Sequence, residues 1–355
     1  MINLLQSGKI GPELHRVSCD PGINWEKEVS WAIDAAPDDS GVPDPISSWP
    51  RDAIRSGIYG AVSPRVVCLR DGSYRLYYTQ ILPRPGNPEG ASDYDQATTR
   101  ILSAHSRDGT EWVPETGVRL SAEAGGAGEY RVVSSEVVPV AHESGHWRMY
   151  YECCRGPQSV GNTILSARSE DDGITWKLEP GVRWGNDRSN FAAPRIQFLD
   201  GGRMRLFCYE RGKGIISAIS EDGGVTFVRE PGLRIAQDGP WDSEAAFAPE
   251  VVQLGEDDFV MFYAGYSAAN RAQILRATSQ DGLNWRKEAQ PAISPNGTGW
   301  DAVKCSEMSL IPIPDKAGNA PRFRMLYEAC DGTAAGDRGV WRIASASTDN
   351  TKGSF

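Results

Sequence analysis

The hydrophobic and polar positions of the chain follow a three-part pattern that returns about every 50 to 70 residues. The first part is a short apolar run after a small residue or proline, the second alternates with aromatic residues, and the third leads into a tight polar turn. The parts lie at 63–69, 74–80 and 101–112; 134–140, 147–153 and 164–176; 193–199, 204–210 and 215–227; 248–254, 259–265 and 274–285; and 305–313, 323–329 and 342–350. This composition is typical of half-buried strands, so each repeat predicts three consecutive strands.

Five repeats predict a single all-β domain, a five-bladed β-propeller with four strands in each blade. The last repeat ends at 347–350 without a fourth strand, whereas residues 18–31 carry a turn and a strand that belong to no repeat. We therefore expect an N-terminal strand to close the ring by completing the last blade, which removes a sheet edge. The expected parts are a lead-in with the closing strand at 1–58 and blades at about 59–120, 121–185, 186–236, 237–294 and 295–350.

The polar turns share a residue pattern that is most complete between Ser169 and Trp176, which read S-x-D-x-G-x-T-W. Residues 220–227 match it except for the last aromatic residue, which is Phe227. In such a turn the Asp carboxylate accepts hydrogen bonds from turn amides, and the Gly takes a positive φ. We expect these turns to serve structure rather than catalysis.

Composition and charge exclude several classes of partner. The formal net charge is −10, and no run of Lys or Arg is present to displace counterions from a nucleic acid. No stretch approaches the roughly 18 apolar residues of a membrane span, and the N-terminus lacks the pattern of a classical export signal. The sequence therefore predicts a cytoplasmic protein with neither a nucleic acid nor a membrane as partner.

Cysteine and histidine point to neither a disulfide framework nor a metal centre. The seven cysteines are an odd set, and several lie inside apolar strand-like runs, as expected for reduced, buried thiols. The four histidines show no metal-binding spacing. We therefore expect no cofactor and no metal site; an axial Ca²⁺ would suit the many carboxylates described next, but no ligand spacing identifies one.

Charged residues fall at one end of the predicted blades. The inner strands carry Arg65, Glu136, Arg195, Glu250 and Glu307 at positions that align as equivalent, one per blade, which predicts a charged ring around the axis. The ends of the aromatic strands add Glu152, Glu210 and Glu328, and the loops entering the inner strands add Trp241, Asp242, Trp300 and Asp301. Carboxylates flanked by aromatic rings suit a sugar ligand. The alternative is that the ring is an ion-pair belt and the Trp-Asp pairs are packing elements.

The paired inner and aromatic strands, over about residues 59–350, resemble those of the five-bladed glycosidase-like propellers, which include arabinanases, β-xylosidases and invertase-like enzymes. The polar turns separately resemble the Asp boxes of sialidases. The first resemblance implies that carboxylates near the inner strands of different blades act as acid, base or nucleophile, and pKa-tuning group. Glu136, Glu250 and Glu307 stand at such positions, but residues 63–65 read Ser-Pro-Arg where the first-blade Asp is expected.

The resemblance implies a glycoside hydrolase-like enzyme that acts on a sugar or sugar-like small molecule. Glu136 and Glu307 would be acid and base or nucleophile, Glu250 would tune them or be an alternate acid, and Arg65 and Arg195 would orient the ligand. The missing first-blade Asp leaves open a lyase, isomerase or cyclase that acts on a small polar metabolite. A carbohydrate-binding propeller without catalysis is a third reading, since one fold serves many functions.

Overall fold

A computed structural model of the chain describes residues 16–17, 19–34, 59–84, 94–140, 145–157, 159–313, 322–333 and 339–348. Within these residues the secondary structure is 22 β-strands with short 3₁₀ turns and no α-helix, so the all-β prediction is confirmed. No helical turn in the described ranges has the length and hydrophobicity needed to cross a bilayer.

The strands form five consecutive antiparallel groups, each built on one sequence repeat. The first group is β2 (Tyr59–Cys68), β3 (Tyr74–Pro83), β4 (Ala97–Ser106), β5 (Val113–Pro114) and β6 (Leu120–Ser121); the second is β7 (Arg131–Pro139), β8 (Trp147–Cys154), β9 (Thr163–Ser169) and β10 (Lys177–Leu178). The third is β11 (Phe191–Phe198), β12 (Met204–Glu210), β13 (Gly214–Ser220), β14 (Val228–Arg229) and β15 (Ile235–Ala236). The fourth is β16 (Ala245–Gly255), β17 (Asp258–Ala268), β18 (Arg271–Ser279) and β19 (Arg286–Lys287); the fifth is β20 (Lys304–Ile313), β21 (Arg322–Cys330), β22 (Val340–Thr348) and β1 (Trp25–Ile33).

The fifth group takes its fourth strand from the N-terminal part of the chain. β1 pairs antiparallel with β22, with Trp25 opposite Thr348 and Lys27 opposite Ala346. Trp25 also packs edge-on against Phe262 of the fourth group, with ring centroids 5.7 Å apart. The strand therefore contacts two neighbouring groups, as a strand at their junction must.

The polar turns of the second, third and fourth groups attach each of these groups to the one before it. In the second group Asp171 accepts hydrogen bonds from the Thr175 amide (2.9 Å) and hydroxyl (2.7 Å), and Gly173 adopts a φ of 83°. Trp176 then packs edge-on against Tyr77 of the first group, at 6.0 Å between ring centroids. The same contact recurs between Phe227 and Tyr150 (5.9 Å) and between Trp285 and Phe207 (6.5 Å). The turns thus hold neighbouring groups together, as the structural interpretation of their sequence requires.

Lys27 of β1 joins the fourth and fifth groups through its ammonium group. The Nζ atom donates to the main-chain oxygen of Ser294 at 2.5 Å and to Asn296 Oδ1 at 3.0 Å, and it forms an ion pair with Asp301. Only 2% of the Asp301 side chain is exposed, so this carboxylate depends on Lys27 for charge compensation.

We expect Lys27→Met to lower the free energy of unfolding by about 3 kcal/mol, because it leaves the buried Asp301 carboxylate without its cation. Urea denaturation of the variant measures this loss. Lys177→Met makes the same chemical change at an exposed position of β10 and should leave stability within about 0.5 kcal/mol of wild type. Equal effects from the two variants would contradict a structural role for Lys27.

Candidate active site

Four side chains from four inner strands form an ion-pair quartet around the axis. Arg65 Nε lies 2.8 Å from Glu136 Oε2, and Arg65 Nη1 lies 3.1 Å from Glu250 Oε2. Arg195 Nε lies 3.4 Å from Glu250 Oε2 and 3.9 Å from Glu136 Oε2. Burial raises the pKa of Glu136 to about 7, while Arg65 and Arg195 act to lower it. Two cations and two carboxyl groups therefore compensate one another in the ring that the sequence predicts.

The fifth member of this ring is Ser309, and the prediction that Glu307 occupies an equivalent position is wrong. Three ring side chains accept a hydrogen bond from the main-chain N–H just after the ring position of the next group. These bonds run from Ile196 to Glu136 (3.2 Å), from Leu310 to Glu250 (3.2 Å) and from Val66 to Ser309 (3.1 Å). Ser309 lies opposite Leu326, the fourth residue of the aromatic run 323–329, as Arg65 lies opposite Tyr77, the fourth residue of the run 74–80. Glu307, the unpaired residue between Ser306 and Met308, therefore lies two positions before the ring.

Glu307 instead lines a cavity of about 510 Å³ at the end of the strands where the inner strands begin. Besides aliphatic side chains and Ser63, the cavity is lined by carboxyl groups, cations and aromatic rings. These are Glu152, Glu307 and Glu328; Arg211 and Lys304; and Tyr209, Phe247, Tyr266 and Trp341. None of the four quartet residues is part of this lining, so the cavity and the quartet are separate features of the axis.

Glu307 and Glu328 are held by neighbouring serines and by one main-chain amide. The two Glu307 oxygens lie 3.0 and 3.1 Å from Ser134 Oγ. Glu328 accepts a hydrogen bond from the Ser63 amide at 3.1 Å and another from the Ser306 hydroxyl at 2.5 Å. Ser63 Oγ and Ser134 Oγ are themselves 3.2 Å apart. One hydrogen-bonded network therefore fixes both carboxyl groups at the cavity.

The two carboxyl groups differ in the interactions that counteract the effect of burial on their pKa. Burial and the nearby Glu307 charge raise the pKa of Glu328 to about 8, so Glu328 is mostly protonated at neutral pH. Burial also raises the pKa of Glu307, but the positive charge of Arg195 and the hydrogen bond from Ser134 act in the opposite direction. Two carboxyl groups with different environments are the arrangement that acid and base catalysis requires.

Glu152 and Lys304 lie on the cavity wall with fixed partners. Glu152 Oε1 accepts hydrogen bonds from Arg211 Nη2 at 2.9 Å and from Asn162 Nδ2 at 2.6 Å. The Lys304 ammonium lies 5.8 Å from the centre of the Tyr266 ring and 5.4 Å from that of Trp341, within cation–π range. The wall thus presents cations as well as carboxyl groups.

Three aromatic rings form a row along the cavity. The Phe247 ring lies 5.9 Å from that of Tyr209 and 5.5 Å from that of Tyr266, both tilted by 50°. An apolar row beside polar groups that fix orientation is the usual composition of a small-molecule site. The lining can therefore hold a ring-shaped polar ligand against the two carboxyl groups.

The two Trp-Asp pairs lie in the strand packing and not in the cavity lining. Asp242 accepts hydrogen bonds from the Gly239 amide (2.7 Å) and the Tyr263 hydroxyl (3.1 Å), and its ion pair with Lys287 measures 2.7 Å. Trp241 donates to the Ala289 main-chain oxygen at 3.2 Å. In the second pair, Asp301 binds Lys27, and Trp300 packs edge-on against Trp31 at 5.7 Å. Their geometry matches the packing alternative of the sequence analysis.

Of the predicted site residues, Glu152 and Glu307 reach the cavity. Glu210 lies outside its lining, in ion pairs with Lys213 (2.7 Å) and Arg229 (2.8 Å). The sequence placed Glu328 at the same end of the blades, since it ends an aromatic strand as Glu152 does, but assigned it no role. It gave no signal for Lys304, Tyr209, Phe247 or Trp341.

The strand groups and the cavity at their ends define a β-propeller of the kind found in glycoside hydrolases, and the resemblance predicted from the strand rhythm is confirmed at the level of fold. A thermostable family-43 glycoside hydrolase matches with a TM-score of 0.61 at 17% identity, over 82% of this chain and 90% of its own. The catalytic domain of a family-62 α-L-arabinofuranosidase from Coprinopsis cinerea matches with a TM-score of 0.63 at 14% identity, over 94% and 99%.

The same fold is shared with an enzyme of different chemistry. An N-acetylgalactosamine deacetylase from F. plautii, in complex with blood group B trisaccharide, matches with a TM-score of 0.62 at 17% identity, over 91% of this chain and 95% of its own. No protein-family model and no curated protein matches the chain. Assignment of an activity therefore depends on the site itself.

We expect Arg65→Met to destabilise the fold by about 3 to 5 kcal/mol, because Glu136 and Glu250 lose a shared cation in a buried position. Adding Glu136→Gln should recover part of that loss, since the double variant removes one uncompensated carboxyl group. Urea denaturation measures both values, and Arg286→Met, at an exposed position, is the matched control. A stability change within about 0.5 kcal/mol for Arg65→Met would contradict the structural role of the quartet.

Proposed function

We propose that the chain is a glycoside hydrolase-like enzyme whose active site is the 510 Å³ cavity. The observation that carries the proposal is the pair of buried carboxyl groups, Glu328 and Glu307, which share one serine network and differ in the charges that act on them. The aromatic row of Tyr209, Phe247 and Tyr266 supports a sugar as the ligand. The fold shared with glycoside hydrolases is a further support for this chemistry in the cavity.

We further infer that the five strand groups are the blades of one closed propeller domain over residues 1–355. The support is the pairing of β1 with β22, together with the parallel contacts of β2 with β22 and of β18 with β20 across group boundaries. The polar turns are then structural Asp boxes. Seven free cysteines, of which all but Cys19 are buried, support a cytoplasmic location.

In the proposed reaction Glu328 is the general acid. Its carboxyl proton passes to the glycosidic oxygen as the bond between that oxygen and the anomeric carbon breaks. Glu307, as the carboxylate, either removes a proton from the water that attacks the anomeric carbon or attacks that carbon itself. In the second case water then hydrolyses the glycosyl ester, the Glu328 carboxylate takes the proton of that water, and Glu307 is released as a carboxylate. Ser134 orients Glu307, and the charge of Arg195 favours its ionised form.

The roles expected for the ring residues are reassigned in this proposal. The ion-pair quartet forms the floor below the cavity, and its two cations and two carboxyl groups compensate one another. Catalysis is therefore assigned to Glu328 and Glu307. Glu152, fixed by Arg211, and Lys304 are proposed to bind ligand hydroxyl or acidic groups on the wall. The first-blade position expected to hold an Asp is occupied by Ser63, which supports Glu328 through its amide.

A lyase, isomerase or cyclase is the second candidate. Its support is the presence of Lys304 beside Tyr266 in the same cavity, which supplies an anion holder close to a possible proton donor. The two candidates differ in product: hydrolysis incorporates oxygen from water at the anomeric carbon, whereas elimination or rearrangement does not. Mass spectrometry in ¹⁸O-labelled water distinguishes them.

Leaving-group dependence tests the two assignments. A panel of aryl glycosides and aryl glycosiduronic acids first identifies a substrate. Glu328→Gln should then lower kcat by about 10² to 10⁴-fold for a poor leaving group and far less for an activated one, which needs no protonation. Glu307→Gln should abolish turnover of both, because it removes the base or nucleophile.

Glu170→Gln is the control for these variants, because Glu170 is exposed in a polar turn. It should retain wild-type rates on every substrate. The acid assignment would be overturned if Glu328→Gln lowered kcat equally for poor and activated leaving groups. Wild-type rates in both Glu328→Gln and Glu307→Gln would reject this cavity as the site of hydrolysis.

The pH dependence provides a separate test of Glu328. Its carboxyl group must carry a proton to act as an acid, and its pKa is raised to about 8. We therefore expect kcat/KM on a poor leaving group to be maintained near neutral pH and to fall as pH rises through about 8. This alkaline limb should disappear in Glu328→Gln assayed with an activated substrate, and its persistence there would assign the limb to another group.

A further inference from the structure

A second cavity, of about 500 Å³, lies between the second and third strand groups. Its lining includes the aromatic rings of Trp184 and Phe191, the amide of Asn186, and charged residues from both groups. The charged members are Arg183, Arg188, Arg229 and Glu210. Three guanidinium groups and one carboxylate give this cavity an excess of positive charge in a chain whose formal net charge is −10.

The arginines have donors left for a ligand. The carboxylate of Glu210 meets only Arg229 among the lining cations, at 2.8 Å, and its other oxygen binds Lys213. Arg183 is buried and donates to main-chain oxygens of its own turn, so it contributes positive charge while the accessible donors are those of Arg188 and Arg229. Arg188 is exposed, and no side-chain partner for it lies within the described ranges. A planar guanidinium with free donors matches the oxygens of a carboxylate or sulfate.

The second cavity adjoins the first through one pair of strands. On the β11–β12 ladder, Phe191 lies opposite Glu210, and the next rung pairs Ala192 with Tyr209. The Phe191–Glu210 rung lines the second cavity, whereas the Ala192–Tyr209 rung lines the first. Since consecutive residues of a strand point to opposite faces, the two cavities lie on the two faces of the same strand ends.

We propose that the second cavity is a binding subsite for an anionic sugar residue of an extended glycan. This rests on the proposed function, because the first cavity holds the residue that reacts. The chain of the ligand crosses the end of the β11–β12 ladder, so that an acidic residue of the glycan meets Arg188 and Arg229. Trp184 and Phe191, whose rings lie 4.6 Å apart, supply the apolar side of the subsite. The substrate class is therefore an acidic oligosaccharide or polysaccharide.

Binding to an array of uronate-bearing, sulfated and neutral glycans tests the subsite without any need for turnover. We expect wild type to favour acidic glycans and to lose that preference as salt is raised, because exposed charges are screened. The best acidic glycan and its carboxyl-reduced or desulfated counterpart are then compared by isothermal titration calorimetry. These two arms distinguish a carboxylate from a sulfate as the recognised group.

Arg188→Ala and Arg229→Ala should each weaken binding of the acidic glycan by about tenfold and leave the neutral counterpart unchanged. Arg188→Lys should retain part of the affinity. Arg203→Ala is the matched control, because Arg203 is exposed at the other end of the same β11–β12 hairpin. It should bind both glycans as wild type does.

Acidic glycans that bind equally well to wild type, Arg188→Ala and Arg229→Ala would overturn the subsite and leave the proposed hydrolase intact. Absence of any preference for acidic over neutral glycans in wild type would also overturn it. The hydrolase itself is judged separately, by turnover of small aryl glycosides in the Glu328 and Glu307 variants. Failure there, with arginine-dependent glycan binding retained, would leave a binding protein.

Discussion

Compensation of charge where the inner strands meet is the interaction on which the rest of the structure depends. Arg65 reaches Glu136 of one strand and Glu250 of another, so strands that are not neighbours are joined across the axis. Each of these glutamates also accepts a main-chain N–H from the next group. An uncompensated ion there would cost several kcal/mol, so removing any one of the four charged side chains destabilises the others. Together they make a floor, with a small cavity of about 60 Å³ on the far side.

The quartet also affects the pKa of a carboxyl group in the 510 Å³ cavity. Arg195 contacts Glu250 within the quartet, and its charge also opposes the effect of burial on the pKa of Glu307. Glu328 faces the negative charge of Glu307 instead, which adds to the effect of burial on its pKa. One structural cation thus helps to separate the ionisation of two carboxyl groups in a single cavity. The same arginine therefore contributes both to the stability of the quartet and to the pKa of Glu307.

The repeat, the strands and the packing role of the polar turns could be predicted from sequence, because each follows from local periodicity and turn chemistry. Glu152 and Glu307 could also be selected, since both are carboxylates at strand ends. The register of Glu307 could not, because it depends on how β20 pairs with β21, which places Ser309 rather than Glu307 at the ring position. Nor could the burial of Asp242, whose partners Tyr263 and Lys287 are distant in sequence and meet it only in the fold.

The two ends of the strands have different structural roles. At the turn end, Trp176 and Phe227 pack on the preceding group, so substitution there affects packing between groups. At the opposite end, the β11–β12 ladder presents Tyr209 to one cavity and Glu210 to another. Phe191 and Tyr209 of these rungs also pack on Trp184 and Phe247 of the neighbouring groups, so this end combines packing with the lining of a cavity. A fold shared at 14 to 17% identity by a glycoside hydrolase, an arabinofuranosidase and a deacetylase is consistent with that division.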